Sequence, residues 1–293
     1  MSDALIRDVS DTAFMVAVYR ALENEQPRPL FRDPLADKLA GEHGRSIVRN
    51  LPRSGPFSRL GHWLVAIRTC IIDDYIREAL KDGVDAILNL GAGLDTRPYR
   101  MELPKALKWI EVDFPRIVDL KETRLEGETP RCDLRRVKLD LADREARRRL
   151  FAEIAATSKK TLVLTEGVIP YLDNDAVAAL ADDLRAVPVF SYWIADYLSL
   201  PARRHRARME KRMKMQNAPF KFDPEDYFGF LKAHGWQAKE IRYIPEEAER
   251  LQRPPSLPLL FKLWVRLTEP FARGRRTGFR KAMAYVLFET AKS

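Results

Sequence analysis

The chain reads as a doubly wound α/β domain, a sheet held between two helical layers, behind a helical N-terminal cover. Three features support this. From residue 85 onward, short apolar runs alternate with stretches of helical periodicity, as strands and their crossover helices do. The runs lack a clean apolar–polar alternation, which suits parallel strands buried on both faces. The first run also ends directly in Gly91-Ala92-Gly93, at the strand end where such sheets meet their ligands.

The cover comes first, over residues 1–84. Residues 11–23 and 63–80 have helical periodicity and are joined by a loop rich in Pro, Gly and Arg. Strands are predicted at 85–90 (DAILNL), 107–112 (LKWIEV), 137–141 (VKLDL), 161–164 (TLVL) and 187–194 (VPVFSYWI). Helices at 116–125, 143–156 and 174–186 lie between them, with Asp143 and Asn174 as the expected N-caps. Beyond residue 200 a basic helix precedes a second one at 223–234, closed by Gly235. Residues 236–244 and 284–290 then form a terminal antiparallel pair. Residues 85–293 make up the ligand-binding domain, and 200–283 is expected as a C-terminal insertion within it.

Composition narrows the function. Hydrophobic residues at 46% and charged residues at 32% are ordinary for a globular protein, and no apolar run is long enough to span a bilayer. The polar, acidic start MSDALIRDVSD does not read as a signal peptide, so none is expected there. Cys70 and Cys132 make neither a disulfide framework nor a metal-ligand spacing, so a reducing cytoplasm is expected. The formal charge of +9 is concentrated at 144–149, 203–214 and 273–281. None of these stretches carries a nucleic-acid motif with interleaved aromatics, so solvated helix faces are expected and nucleic acid is not. The apolar-then-basic segment 254–281 is the one place for a membrane-surface or partner helix, although its leucines suit core packing better.

The glycine strand narrows it further. Glycine after a strand permits a tight turn and close backbone approach to a ligand. A dinucleotide fingerprint would place a third glycine where this chain has Thr96, and that glycine packs the helix whose N-terminus carries a pyrophosphate. Asp95 would also repel a diphosphate, but it is compatible with a cationic ligand. About twenty residues on, WIEVDFP puts Asp113 at the end of the second strand, where a carboxylate can accept from both ribose hydroxyls. Asp140-Leu141 offers an acid beside an apolar surface for adenine, and the fourth strand ends in Thr165-Glu166-Gly167. A nucleoside bearing a cation and no phosphate fits this set, which points to S-adenosylmethionine.

Four blocks, LGAGLDTRPYR (90–100), EVDFPRIVDLK (111–121), LDL (139–141) and LTEGVIPYL (164–172), resemble the leucine carboxyl methyltransferase family, which includes polyketide O-methyltransferases. Arg68-Thr69 is similar to the arginine-bearing helix before the family's first strand. The resemblance spans roughly residues 10–200 and is carried by the combination of blocks rather than any one of them. It implies a class I methyltransferase: a Rossmann-like, seven-stranded sheet with an antiparallel last strand and a helical N-terminal cover. By motif, Arg68 pairs with the methionine carboxylate of the cofactor, Gly91 lines its backbone path and Asp113 holds the ribose. Asp140 and Leu141 flank adenine, and Glu166 anchors the methionine ammonium end. Eukaryotic members carry a lysine in the first helix where this chain has Val16, so any contact made by that lysine is absent here.

The resemblance implies methyl transfer to a carboxylate or phenolic oxygen of a small molecule, with an anion expected from the surplus of arginine. Arg20 and Arg97 are the candidates to hold that anion, and Tyr171 to position the acceptor. A carboxylate needs no base, whereas a phenol with a pKa near 10 needs deprotonation or stabilisation of the developing phenolate. His62, in the cover, is a weak candidate for a base. The alternatives are a protein C-terminal carboxyl methyltransferase and a non-catalytic module that binds a partner or membrane through the basic C-terminal region. An RNA methyltransferase is disfavoured, because TEGVIPYL is no base-modifying tetrad.

Overall fold

The computed structural model describes residues 9–50, 56–204, 206, 219–255 and 280–291. Three helices come first: α1 (Val9–Asn24), α2 (Ala36–Asn50) and α3 (Pro56–Lys81). The strands β1 (Ala86–Leu90), β2 (Lys108–Asp113), β3 (Asp133–Lys138), β4 (Thr161–Thr165) and β5 (Phe190–Leu198) alternate with α4 (Arg97–Arg100), α5 (Pro115–Arg124), α6 (Arg144–Thr157) and α7 (Asn174–Arg185). Then follow α8 (Tyr227–Ala233), β6 (Trp236–Tyr243), α9 (Ile244–Arg250) and β7 (Met283–Thr290). The seven strands form one sheet in the order β3-β2-β1-β4-β5-β7-β6. β1 to β5 are parallel, and β7 runs antiparallel to both β5 and β6. The strand order therefore reverses between β1 and β4, which makes a crevice beyond their carboxyl ends.

Burial on both faces follows from the strand sequences. All five residues of β1 and of β4 are buried. Leu88 and Leu90 of β1 face α6 and α7, packing with Phe151, Ile154, Leu180 and Trp193. Ile87 points the other way, into a layer formed by Ile67, Ile71 and Tyr75 of α3 with Tyr285 and Leu287 of β7. Each such fully buried aliphatic side chain contributes about 1.5–3 kcal/mol relative to exposure. Trp236 joins the β6 edge to α7 by donating its indole N–H to the Ala181 carbonyl at 3.0 Å.

Several boundaries differ from the sequence reading. The predicted third strand, 137–141, lies mostly beyond β3, which is the charged stretch DLRRVK. β3 is the sheet edge and has one neighbour, so it does not need the continuous apolar run that marks a central strand. Residues expected as loop form α2, whose Ala36, Leu39, Ala40, Gly44 and Ile47 are buried at helical spacing. Its two glycines concealed that pattern. At Gly41 the helix kinks with φ 56°, and Gly44 lets it approach α1, where an added Cβ would lie 3.0 Å from the Phe14 carbonyl. Asp143 caps α6 as expected, accepting from Ala146 N at 2.9 Å, but α7 is capped by Asp173 rather than Asn174.

The boundary at residue 84 also shifts in meaning. α3 belongs to the helical layer of the sheet, which leaves α1 and α2 as the cover proper. The stretch 200–283 contains β6 and α9. Most of the segment 254–281, and of the basic helix near 203–214, lies outside the described residues. Among the described residues, no helix is long and apolar enough to cross a membrane. In the basic run 144–149, Arg144, Arg148 and Arg149 are exposed, whereas Arg147 is buried; Arg144 and Arg147 both pair with Asp183 of α7.

Candidate active site

The carboxyl ends of β1, β2, β3 and β4 meet around the Gly91–Gly93 turn. Gly91 and Gly93 have φ of 67° and 48°, a left-handed conformation that L side chains rarely adopt. The turn is held by the end of β2: Gly91 N and Ala92 N donate to the Val112 carbonyl at 2.8 and 3.1 Å. A Cβ on Gly91 would overlap Val168 Cγ2, so the turn after β1 packs directly on the turn after β4.

Asp113 follows at the β2 end. Its Oδ2 accepts from Gly93 N at 2.6 Å and its Oδ1 from Phe114 N at 2.7 Å. Burial pushes its carboxyl above the usual value, partly offset by those two amides. Leu139 N donates to the Asp113 carbonyl at 3.0 Å, which brings Asp140 and Leu141 beside it. Asp140 is exposed and accepts from Ala142 N at 2.9 Å, closing a small turn. Leu141 packs against the core and receives Arg147 on its carbonyl at 2.6 Å.

Arg97 is the centre of a buried ion-pair network. Its Nε donates to Asp73 Oδ1 at 2.7 Å, and its Nη1 donates to Asp95 Oδ2 at 2.9 Å and Glu166 Oε2 at 2.8 Å. Arg100 adds a second guanidinium on Asp73, 2.6 Å from Oδ2. These partners hold the Asp73 and Glu166 carboxyls below their usual range, and Asp95 well below it, although burial alone would raise all three. The charge of Asp95 is thus spent on Arg97 and on Asn89, which donates to it at 2.9 Å, rather than on a ligand.

Arg97 is only 2% exposed and faces three carboxylates of its own chain, which does not suit a holder of substrate anion. Arg20 is similarly placed. Its Nε donates to Asp33 Oδ2 at 2.8 Å and its Nη2 to the Leu94 carbonyl. His62 lies 2.9 Å from the fully buried Glu23, which also receives Arg253. Thr96, in place of the third glycine, is fully buried and donates to Asp33 Oδ2 at 2.7 Å. Arg20 and Thr96 thus tie the cover to the glycine turn.

Arg68 and Glu166 come together at the far side of the turn. Arg68 Nε is 3.0 Å from Glu166 Oε1, but out of line for a hydrogen bond, and it has no other hydrogen-bond partner among the described residues. A buried guanidinium N–H without an acceptor is suited to an incoming carboxylate. Tyr171, on the 3-10 turn Ile169–Tyr171, stands edge-on to Phe220 with centroids 5.1 Å apart and is bonded to Thr12 of the cover.

The model of the leucine carboxyl methyltransferase family matches residues 13–185. The chain belongs to this family. A Streptomyces avermitilis relative is 32% identical over 261 residues, covering 84% of this chain and 89% of its own. A Frankia alni relative is 31% identical over 255 residues, covering 84% and 88%. Each bears the name "Putative S-adenosyl-L-methionine-dependent methyltransferase". In fold, the chain is similar to a crystal structure of a "putative methyltransferase" from Thermobifida fusca, with a TM-score of 0.56 at 14% identity and coverage of 99% and 97%. The protein is an S-adenosyl-L-methionine-dependent methyltransferase of class I fold.

The residues present fit that cofactor. The Gly93 amide and the Asp113 carboxylate lie at the switch point, the Arg68 N–H lacks an acceptor, and an added Cβ on Gly167 would meet only open space.

Asp196, near the end of β5, was missed by the sequence reading. Its Oδ2 accepts from Gly167 N at 2.9 Å and its Oδ1 from the Tyr285 hydroxyl at 2.8 Å. The rule that found Asp113, Asp140 and Glu166, an acid at a strand's carboxyl end, applies to it as well. The predicted fifth strand stopped at residue 194, whereas β5 runs to Leu198.

Proposed function

We propose that this methyltransferase delivers its methyl group to an acidic oxygen, carboxylate or phenolic, of a small molecule. The observation that carries the reading is a narrow cleft of about 20 Å³ beside the Glu166 turn, lined by Ile169, Pro170, Leu198, Phe220, Phe222 and Tyr227 together with the charged Asp196 and Arg203. That volume admits one oxygen-sized group, and a lining both aromatic and charged suits the reacting oxygen of a small acceptor better than a polypeptide or polynucleotide backbone. Tyr171 shapes this cleft from behind, through Phe220. Arg20 and Arg97 serve the fold rather than the acceptor.

When bound, S-adenosyl-L-methionine supplies an electrophilic methyl group on a sulfonium. In this reading Asp113 holds its ribose, Asp140 and Leu141 flank its adenine, and Gly91 lines its path. Arg68 and Glu166 take the carboxylate and ammonium of its methionine end. The chain's own contribution is alignment and dehydration of the attacking oxygen, which can supply most of the rate in a displacement of this kind. Two buried free cysteines suit a reducing, cytoplasmic setting.

Incubation with isotope-labelled cofactor and cell extract, followed by mass spectrometry of the products, tests the reading. A methyl ester or aryl methyl ether on a metabolite is the expected product. Label found only on carbon, RNA or polypeptide would overturn it.

A further inference from the structure

We propose that Asp196 is the general base and that Arg203 anchors the acceptor's oxygen, which makes the acceptor an aromatic hydroxyl rather than a carboxylate. The proposal rests on the small-molecule O-methylation reading and narrows it. Asp196 and Arg203 line the same cleft, between the turn after β4 and the chain leaving β5, with Phe220, Phe222 and Tyr227 as its aromatic walls. Bonds from Gly167 N and the Tyr285 hydroxyl fix both carboxylate oxygens of Asp196 and leave each with a free lone pair.

Arg203 is the complementary half. Its side chain is 9% exposed, its Nη2 donates to the Pro224 carbonyl, and its Nε is ion-paired with Asp223 at 3.0 Å. Its Nη1 is buried and has no hydrogen-bond partner among the described residues. A buried guanidinium N–H without an acceptor is costly, and an oxygen entering the cleft would relieve that cost.

One acid and one guanidinium with an unbonded Nη1, in a cleft with aromatic walls, select the acceptor's chemistry. A hydroxyl satisfies both, donating its proton toward Asp196 while Arg203 donates to its lone pair. A carboxylate would satisfy Arg203 but be repelled by Asp196. In the transfer, the hydroxyl proton passes to the Asp196 carboxylate as an oxygen lone pair forms the new O–CH3 bond. The S–CH3 bond breaks with its electrons going to sulfur, which leaves a neutral thioether, and the proton then passes to solvent.

The surroundings of Asp196 suit a base that works near neutrality. Burial pushes its carboxyl up to about 6, and Glu166 adds to the rise. Tyr285 of β7, Arg68 of α3 and the Gly167 amide oppose it. Tyr227 of α8 donates to the Asp196 carbonyl at 2.6 Å. The group is ionised at neutral pH and is lost as a base when pH falls through its pKa.

Asp196→Asn keeps the shape, because the amide oxygen can accept from Gly167 N and the Tyr285 hydroxyl can accept from the amide N–H. Calorimetry on the protein with S-adenosylhomocysteine at neutral pH compares 4-methylphenol, which is un-ionised there, with 4-methylbenzoate. The wild type should bind the phenol at least about tenfold tighter, a preference that Asp196→Asn should abolish by raising benzoate affinity. Arg203→Gln should weaken both probes. With a phenolic acceptor, kcat should fall on the acid side of about pH 6 in the wild type. That limb should vanish, at much lower kcat, in Asp196→Asn. Unchanged melting temperature and cofactor affinity certify each variant's fold. Benzoate binding as tightly as the phenol to wild type, or an Asp196→Asn variant with wild-type rate, would overturn the inference. A methyl ester among the labelled products would defeat it while leaving the small-molecule reading intact; no O-methyl product would defeat both.

Discussion

Asp113 has two roles at the end of β2: it closes the glycine turn through the Gly93 amide, and in the proposed site it receives the ribose. Asp113→Ala therefore removes charge-assisted bonds worth about 1.5–3 kcal/mol each and loosens the turn as well. Affinity for S-adenosylhomocysteine by calorimetry should fall at least about tenfold. Unchanged affinity in a folded variant would place the ribose elsewhere. This acid was legible in the sequence because its chemistry follows from its position at a strand end. Arg97 was not, because an arginine beside a glycine motif reads equally as a ligand clamp or a structural counter-ion, and only its three carboxylate partners decide. Arg97→Gln should cost about 3–5 kcal/mol, as when one partner of a buried pair is removed. Its pH dependence is a sharper test. In the wild type, the Asp73, Asp95 and Glu166 carboxyls lie below their unfolded values, so their contribution is present above the unfolded carboxylate pKa and lost as pH falls. Without Arg97 each of the three loses a cation, although Lys121 and Arg20 still act on Asp95, Arg100 on Asp73 and Arg68 on Glu166. Less stability is then left to lose on acidification, so the melting temperature should fall less between neutral and acid pH in the variant than in the wild type.

At the scale of elements, the central strands were readable and the edges were not. DAILNL and TLVL carry their burial in their composition, whereas β3 is mostly charged and α2 hides its apolar stripe behind glycines. β5 was cut short because Asp196 and Tyr197 look like the start of a loop, although they continue pairing with Tyr285 and Ala284 of β7. The turn between β1 and α4 gives a prediction at this scale. Gly91→Ala meets two obstacles: a φ of 67°, which costs a residue with a Cβ about 1–2 kcal/mol, and overlap with Val168. Cofactor affinity and thermal stability should both fall. Adding Val168→Ala should restore part of the stability, since it relieves the overlap but not the backbone conformation. No recovery in the double variant would mean that the two turns do not pack as described.

At the scale of the whole molecule, a buried carboxylate, Asp33, helps join the cover to the cofactor turn. Asp33 of the cover receives Arg20 from α1 and Thr96 from the turn, with Arg100 4.0 Å away. Arg20 also reaches the Leu94 carbonyl, and Leu94 itself packs among Phe14, Val18 and Leu39 of α1 and α2. The residue that departs from a dinucleotide fingerprint therefore has a structural use: Thr96 gives up the close approach of glycine for a bond to the cover. If this joint makes the cover and the turn one cooperative unit, a ligand at the turn must stabilise both equally. At a concentration of S-adenosylhomocysteine 100 times its Kd, the gain is about 2.7 kcal/mol. Amide hydrogen exchange should then slow by the same free energy in α1 as in β1 and β2, where exchange reports opening of the core. Asp33→Ala should break the equality. The core would still gain protection from ligand, while α1 would gain much less and exchange faster even without it. Equal protection of α1 and β1 in Asp33→Ala would show that apolar packing alone joins the cover to the turn, and that the buried carboxylate only sets the position of Thr96.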